Sequence, residues 1–119
     1  MKRLMLAVLV VASVAVSAQS YLANVTVAID ATVGGVGFSS SDISAGSGHP
    51  QATGASCVSD ASGGAFRYRV DGSAPTSSVG VEVQPADTLV LNGPAVLQNF
   101  KGIRTGSTSA SLKCVLWGN

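Results

Sequence analysis

The sequence predicts one all-β domain, a small antiparallel β-sandwich or barrel of about seven or eight strands. Short segments of alternating β-branched and polar residues recur about every ten residues, and turn-forming Gly, Ser, Pro and Asp stand between them. No long apolar stripe of helical period is present. The 119 residues are 46% apolar and 11% charged, which excludes disorder of the low-hydrophobicity, high-charge type. Seven Lys and Arg against six Asp and Glu argue against a nucleic-acid binder.

The N-terminal segment has the pattern of a signal peptide. Lys2 and Arg3 precede an apolar run at residues 4–18, which is shorter than the roughly 20 residues of a transmembrane helix. Val16 and Ala18 place small side chains at the −3 and −1 positions of a cleavage site. We therefore expect residues 1–18 to be removed, which leaves a single domain over residues 19–119 and no membrane attachment. The alternative is a retained hydrophobic arm that packs on a partner.

The first half of the domain predicts two strands and a long loop. In residues 23–29, Val25, Val27 and Ile29 alternate with polar or small residues, which is typical of a strand with one buried face. Residues 32–38 predict a second strand with a bulge at its paired glycines. Residues 39–54 are rich in Ser and Gly and predict a loop. Its length of 16 residues exceeds the roughly 12–15 at which structureless loops become uncommon, so it is either a recognition loop or merely mobile.

The second half predicts the remaining strands. Cys57 lies in a short strand, and residues 66–70 form a clearer one that ends at the turn of residues 71–78. Residues 78–83 and 87–92 predict a pair of strands, and Pro94 favours one helical turn over residues 94–98. Residues 99–105 and 107–117 predict the closing strands. The expected core consists of Val25, Val27, Phe66, Tyr68, Val70, Leu89, Leu91, Phe100, Leu112 and Leu116.

The two cysteines predict one disulfide, Cys57 to Cys114, if the chain is exported. Each lies in an alternating strand pattern, so that a bridge between neighbouring strands or facing sheets is geometrically feasible. In a reducing cytoplasm both would instead be small buried hydrophobic residues. Two Cys and one His fall short of the four ligands of a structural zinc site, and we expect no metal or other cofactor.

No constellation of residues predicts catalysis. His49 is the only histidine, in a Gly/Ser loop, and no G-x-S-x-G nucleophile motif occurs. Four aspartates, at positions 30, 60, 71 and 87, border predicted turns, where Asp commonly caps its own backbone. The sequence therefore predicts a protein that is not an enzyme.

Binding residues are easier to nominate. Arg67 and Arg69 share one face of their strand and Tyr68 lies on the other, so the arginines are placed either to grip a carboxylate or to cover a solvated sheet face. Loops held by rigid sheets often carry recognition. The predicted partner contacts are Arg67, Arg69, Asp71, Pro75, Thr76 and His49. The triplet at residues 24–26 also matches the N-glycosylation acceptor, which matters only in a glycosylating host.

The segment RYRVDGSAPT at residues 67–76, followed by Val79 and Gly80, resembles small β-rich structural proteins of tailed bacteriophages, of the head-decoration or tail-accessory type. ADTL at 86–89, NFKGIRTG at 99–106 and SASL at 109–112 are similar to their closing strands. The resemblance spans about residues 55–117 as a pattern rather than an identity. It implies a virion component that binds capsid or tail proteins without catalysis.

Two functional hypotheses follow. The first is a virion protein that decorates a head or tail lattice, which favours a homo-oligomer because closed assemblies bury strand edges. The second is a secreted or periplasmic β-sandwich that binds a glycan or a cell-surface partner, for which only Tyr21, Trp117 and Tyr68 could supply an aromatic platform. A hydrolase is the remaining and weakest alternative.

Overall fold

The computed structural model describes residues 20–45 and 50–118. Seven strands in these ranges form two antiparallel sheets. The strands are β1 (Ser20–Ile29), β2 (Ala52–Ser59), β3 (Phe66–Arg69), β4 (Val81–Val83), β5 (Thr88–Asn92), β6 (Lys101–Arg104) and β7 (Ala110–Gly118). Sheet A has the strand order β1-β7-β2-β5, and sheet B has the order β4-β3-β6. The predicted all-β, sandwich-like architecture is confirmed. The predicted signal peptide at residues 1–18 lies outside the described residues.

Strand β7 is the longest internal strand of sheet A, and it shows why the alternation of apolar and polar residues predicts which side chains are buried. Leu112, Cys114 and Leu116 are buried, whereas Lys113 and Val115 are exposed. Successive side chains of a strand point to opposite faces, so one face of β7 packs into the core and the other faces outward. The predicted burial of Leu112 and Leu116 is confirmed.

One hydrophobic core joins the two sheets and the two short helices. Phe66 and Phe100 are fully buried, and the Phe100 ring stacks on Tyr68 with a centroid distance of 5.5 Å. Gly102 in β6 lets the sheets meet, because a Cβ at this position would lie 2.9 Å from Ile29 Cδ1. Of the predicted core residues, Val25, Tyr68, Val70 and Leu89 are partly buried and the other six are buried.

The disulfide Cys57–Cys114 is present and lies inside sheet A. Cys57 in β2 is the direct register partner of Cys114 in β7, and their Cα atoms are 4.0 Å apart. Both residues are buried. The predicted disulfide between Cys57 and Cys114 is confirmed. Of the two placements that the sequence left open, the bridge joins neighbouring strands and not facing sheets, and it fixes the two central strands of sheet A to each other.

Two segments differ from the sequence prediction. Residues 32–38 are not a strand: Gly34 and Gly35 have φ of +93° and +83° and form a turn, which leaves only an isolated bridge from Val36 to Gly102. The loop predicted over residues 39–54 contains helix α1 (Ser40–Ile43) and the start of β2. Ile43 is buried, and its burial against the core explains the helical turn that the Gly- and Ser-rich composition conceals.

The strand pairing also differs from the prediction. β4 and β5 follow each other along the chain but lie in different sheets, since β4 pairs with β3 and β5 pairs with β2. Ala86, with φ of +71°, lies in the turn that carries the chain from one sheet to the other. Helix α2 (Pro94–Asn99) then begins at Pro94 and buries Leu97, which confirms the predicted helical turn. β6 and β7 are likewise divided between the two sheets.

Candidate functional site

Five of the predicted contact residues lie in or beside the turn of residues 71–80, which connects β3 to β4. Arg67 and Arg69 lie in β3, while Asp71, Pro75 and Thr76 lie in the turn. The sixth predicted contact, His49, lies outside the described residues. The fold therefore brings five of the nominated side chains into one neighbourhood, although contact with a partner stays a prediction for all six.

Arg67 holds this turn against sheet B. Its Nε donates to the carbonyl oxygen of Ser77 at 3.2 Å, and its Nη1 donates to that of Gly80 at 2.9 Å. Its Nη2 lies 3.6 Å from Glu82 Oε2 on the neighbouring strand. A guanidinium has five donors in a fixed planar fork, and here that fork binds two carbonyl oxygens in the second half of the turn. The contacts assign Arg67 a structural role in positioning the loop.

Arg69 grips a carboxylate of its own chain. Its Nε donates to Asp71 Oδ1 at 3.1 Å, and its Nη2 pairs with Asp71 Oδ2. The backbone N–H of Ser73 donates to the same Oδ1 at 3.1 Å. The hydrogen bond from Arg69, followed by that from Ser73, lowers the pKa of Asp71 below its ordinary value of 3.8. The pair lies half-exposed at the surface, where such ion pairs contribute little to stability.

Pro75 and Thr76 shape the tip of the turn. Thr76 and Val79 exchange backbone hydrogen bonds of 3.0 and 3.3 Å, and Pro75 is buried. Pro75 and Thr76 line a mainly apolar cleft of about 500 Å³, which the turns at residues 31–34 and 103–106 complete. Arg69 and Asp71 line a second depression of about 470 Å³ beside Val79 and Val81. The turn thus separates two shallow apolar recesses at one end of the sandwich.

The aspartates at the turns bind their own backbone, as the sequence predicts. Asp30 accepts from Thr32 N at 2.8 Å, Asp60 from Ser62 N at 3.1 Å, and Asp87 from Gln84 N at 2.9 Å. The bond from Ser62, with a further one from Lys113, lowers the pKa of Asp60 to about 2. Thr32 lowers the pKa of Asp30 in the same way. Carboxylates stabilised as anions are poorly suited to donate protons near neutral pH.

A different surface, the outer face of sheet A, carries four of the seven large apolar residues that are exposed in the described part of the chain. We use this name for the side chains of sheet A that point away from the core: Tyr21, Asn24 and Thr26 of β1, Ser56 and Val58 of β2, Thr88, Val90 and Asn92 of β5, and Lys113, Val115 and Trp117 of β7. The register places them in rows across the four strands. One row runs from Asn24 through Val115 and Ser56 to Val90.

Three valines surround Ser56 on this face. Val58, Val90 and Val115 are 47%, 57% and 42% exposed, and Ser56 is the register partner of both Val90 and Val115. We call these three residues the valine cluster. Lys113 is a charged neighbour, and Asp60 Oδ2 neutralises it at 3.1 Å. The polar Ser56 separates Val90 from Val115, yet several exposed apolar side chains grouped on one face can mark an interaction site, unlike single exposed ones.

Tyr21 and Trp117 stand opposite each other at one end of the outer face. They are register partners in β1 and β7, and Tyr21 is 62% exposed. The indole of Trp117 occupies the space above Gly54, where a Cβ would lie 2.4 Å from the ring. Tyr68 does not join this pair, because its ring packs against Phe66 and Phe100 in the core.

The valine cluster is not apparent from the sequence alone. Its signal was present in the valines that alternate with buried positions, such as Val58 after Cys57, Val90 between Leu89 and Leu91, and Val115 after Cys114. Each looks like an ordinary strand residue by itself. Only the order β7-β2-β5 brings the three together, and that order cannot be read from local alternation.

Within residues 20–45 and 50–118, no three His, Cys, Asp or Glu side chains come together as a metal site. In the same ranges, no helix has the length and apolar character needed to span a bilayer. No protein-family model matches the chain, and no curated protein or solved structure shows a significant similarity to it.

Proposed function

We propose that this protein is a non-catalytic structural protein that attaches to the protein lattice of a phage head or tail through the outer face of sheet A. The observation that carries the proposal is the valine cluster, which lies on an exposed sheet face where the neighbouring charge of Lys113 is already paired with Asp60. Docking such a face removes apolar area from water without stripping an unpaired charge of its hydration, so burial is favourable.

Three further observations support attachment rather than catalysis. The resemblance over residues 67–76 is to virion proteins, and the disulfide suits a protein that works on a virion surface or elsewhere outside the reducing cytoplasm. The aspartates at positions 30, 60, 71 and 87 are bound to their own turns. These contacts favour structural roles for the carboxylates.

The experiment that tests this proposal asks whether the chain travels with particles. Phage particles are induced from a strain that carries the gene and purified on a density gradient, and the chain is sought in them by mass spectrometry. We expect many copies per particle. In a matched pair of variants, Ser56→Lys puts a charge at the centre of the valine cluster, whereas Ser107→Lys puts the same charge on an exposed turn. We expect the first variant to be lost from particles and the second to remain.

Absence of the wild-type chain from purified particles would contradict the lattice proposal. Equal incorporation of both lysine variants would contradict the assignment of the outer face, and would direct attention to the turn of residues 71–80. Circular dichroism and non-reducing mass spectrometry on both variants establish that each is folded and keeps its disulfide.

The second candidate function is that of a secreted or periplasmic module that binds a glycan or a cell-surface partner. The specific observation in its favour is the pairing of Tyr21 with Trp117 at one end of the outer face. Aromatic rings offer apolar faces on which a sugar ring can stack. Binding to a glycan array that is lost in Tyr21→Ala and kept in Ser56→Lys would favour this function over the lattice proposal.

A further inference from the structure

The free edge of β1 differs from the other strand edges of the two sheets. Among the described residues, β1 pairs with β7 alone and forms one edge of sheet A. It is ten residues long, and its sequence SYLANVTVAI contains no charged residue and no proline. Long, uncharged edges of this kind are templates for pairing with another strand.

The other three edges carry features that discourage such pairing. β4 has three residues and includes Glu82, and β6 has four residues and both begins and ends with a cation. Val36 also covers the free side of β6, because it exchanges two backbone hydrogen bonds of 2.8 Å with Gly102. β5 has five residues and stands between Pro85 and Pro94. Natural proteins protect edges with short strands, charges, prolines and covering segments. Within the described residues, the edge of β1 has none of these before Asp30, whose carbonyl oxygen accepts from Arg104 N at 3.0 Å.

The hydrogen-bond pattern identifies the residues of β1 that face outward along this edge. In an antiparallel pair, the N–H and C=O of one residue point to the same side, and the side alternates along the strand. Ser111 O accepts from Asp60 N at 2.8 Å, so the backbone groups of Ser111 point toward β2. By alternation, the backbone groups of Lys113 also point toward β2, and those of Cys114 point toward β1. The backbone groups of Val25, the register partner of Cys114, therefore bond to β7. It follows that the backbone groups of Asn24, Thr26 and Ala28 point away from the sheet.

We propose that the β1 edges of two copies of this chain pair antiparallel about a two-fold axis at Thr26, which joins two four-stranded sheets into one sheet of eight strands. The regular part of β1 after its bulge runs from Ala23 to Ile29, and Thr26 is its centre. The two-fold axis places Thr26 opposite Thr26 of the second copy and Asn24 opposite Ala28. Each of these pairs exchanges two backbone hydrogen bonds across the new interface.

Charge and symmetry favour a second copy over an unrelated strand. The three outward-facing residues are small and neutral, so self-pairing brings no like charges together. The Asp30 residues of the two copies lie at opposite ends of the interface, so they do not face each other. A two-fold contact is isologous, and one such contact removes both long edges from solvent. Only the short or proline-flanked edges then remain exposed. The assembly also presents two valine clusters on one continuous face, although the inference itself does not depend on attachment to a lattice.

Light scattering coupled to size-exclusion chromatography tests this inference on the full chain over about a hundredfold range of concentration. We expect the mass of two chains for the wild type. Thr26→Pro removes an outward N–H, which edge strands tolerate, and should raise the dimer dissociation constant by at least about tenfold. Thr26→Val keeps that N–H and should remain dimeric. Ser56→Lys, which tests the lattice proposal, should also remain dimeric.

A monomeric wild type at every concentration would overturn the inference, as would a Thr26→Pro variant that stays fully dimeric. A dimer that dissociates in Ser56→Lys but not in Thr26→Pro would place the contact on the outer face instead of the edge. Circular dichroism checks that Thr26→Pro is folded. If it is not, Thr26→Lys replaces it, because a lysine at the two-fold axis sets two like charges against each other, and the same outcomes apply.

Discussion

The two sheets of this molecule are held together in different ways. Sheet A contains strands of ten, eight and nine residues, and the disulfide Cys57–Cys114 joins its two central strands. Sheet B consists of strands of three or four residues and depends on the rings of Phe66 and Tyr68 and on the contacts of Arg67. Arg67 and Arg69 on sheet B make hydrogen bonds within the chain, whereas the valine cluster on the outer face of sheet A is exposed. A well-paired sheet can therefore leave its outer face available for binding.

The largest expected effect comes from the core beneath sheet B. Phe100→Ala should lower the free energy of unfolding by about 3–5 kcal/mol, because the buried ring leaves a cavity when it is removed. Urea denaturation measures the loss. Val33→Ala is the matched control, since Val33 is 96% exposed, and it should change stability by less than about 0.5 kcal/mol. Similar losses in both variants would show that this core does not hold the sheets together.

Loss of the disulfide should have a somewhat smaller effect. The bridge closes a loop with a sequence separation of 57, so the double variant with Cys57→Ala and Cys114→Ala should lose about 3–4 kcal/mol in the chain-entropy model. Non-reducing mass spectrometry of the wild type should show two hydrogens fewer than the reduced chain. If both thiols alkylate in the folded, exported protein, the disulfide is absent and sheet A is not held together by a covalent bridge.

The arginines of β3 give a sharper test of how sheet B holds its turn. Arg67→Met should cost about 1–2 kcal/mol, because it removes the donors that bind the carbonyl oxygens of Ser77 and Gly80 in the turn. Arg69→Met removes a surface ion pair and should cost less than about 1 kcal/mol. Hydrogen exchange at residues 76–80 should accelerate only in the first variant. Equal exchange rates in Arg67→Met and Arg69→Met would show that contacts other than those of Arg67 hold the turn in place.

The smallest expected effect concerns pH and sheet A. The pKa of Asp60 in the folded chain is about 2, below its ordinary value of 3.8. Its carboxylate therefore stabilises the fold above about pH 4, and this contribution is lost as the pH falls toward 2. Asp60→Asn should lower the melting temperature at neutral pH, and the difference from the wild type should shrink on acidification. A difference that grows in acid would contradict this account.

The same comparison explains which parts of the fold were predictable from the sequence. The alternation in β7 and β3 predicts burial because each follows the pleat of a strand with one buried face. Residues 32–38 mislead, since the pattern of small and β-branched residues looks like a strand while two glycines with positive φ make a turn. The predicted pairing of residues 78–83 with residues 87–92 is wrong for another reason. Adjacent strands along the chain usually pair, yet here the turn at Ala86 carries the chain between sheets.

The candidate site was predictable only where it depends on short-range chemistry. The capping aspartates bind backbone groups two or three residues away, so their roles can be read from local sequence. The disulfide needs only two cysteines and an export signal as its premise. The valine cluster joins residues that lie 25 to 57 positions apart, and its existence depends on the order of strands in sheet A.

The most direct test of the central claim is hydroxyl-radical footprinting of the chain free and bound to particles. If the outer face of sheet A is the docking surface, Tyr21, Val90 and Val115 should lose reactivity on binding, while the exposed Val79 in the turn of residues 71–80 should keep its reactivity. Protection of the turn with an unchanged outer face would contradict the claim, and would show that the partner binds the end of the sandwich instead.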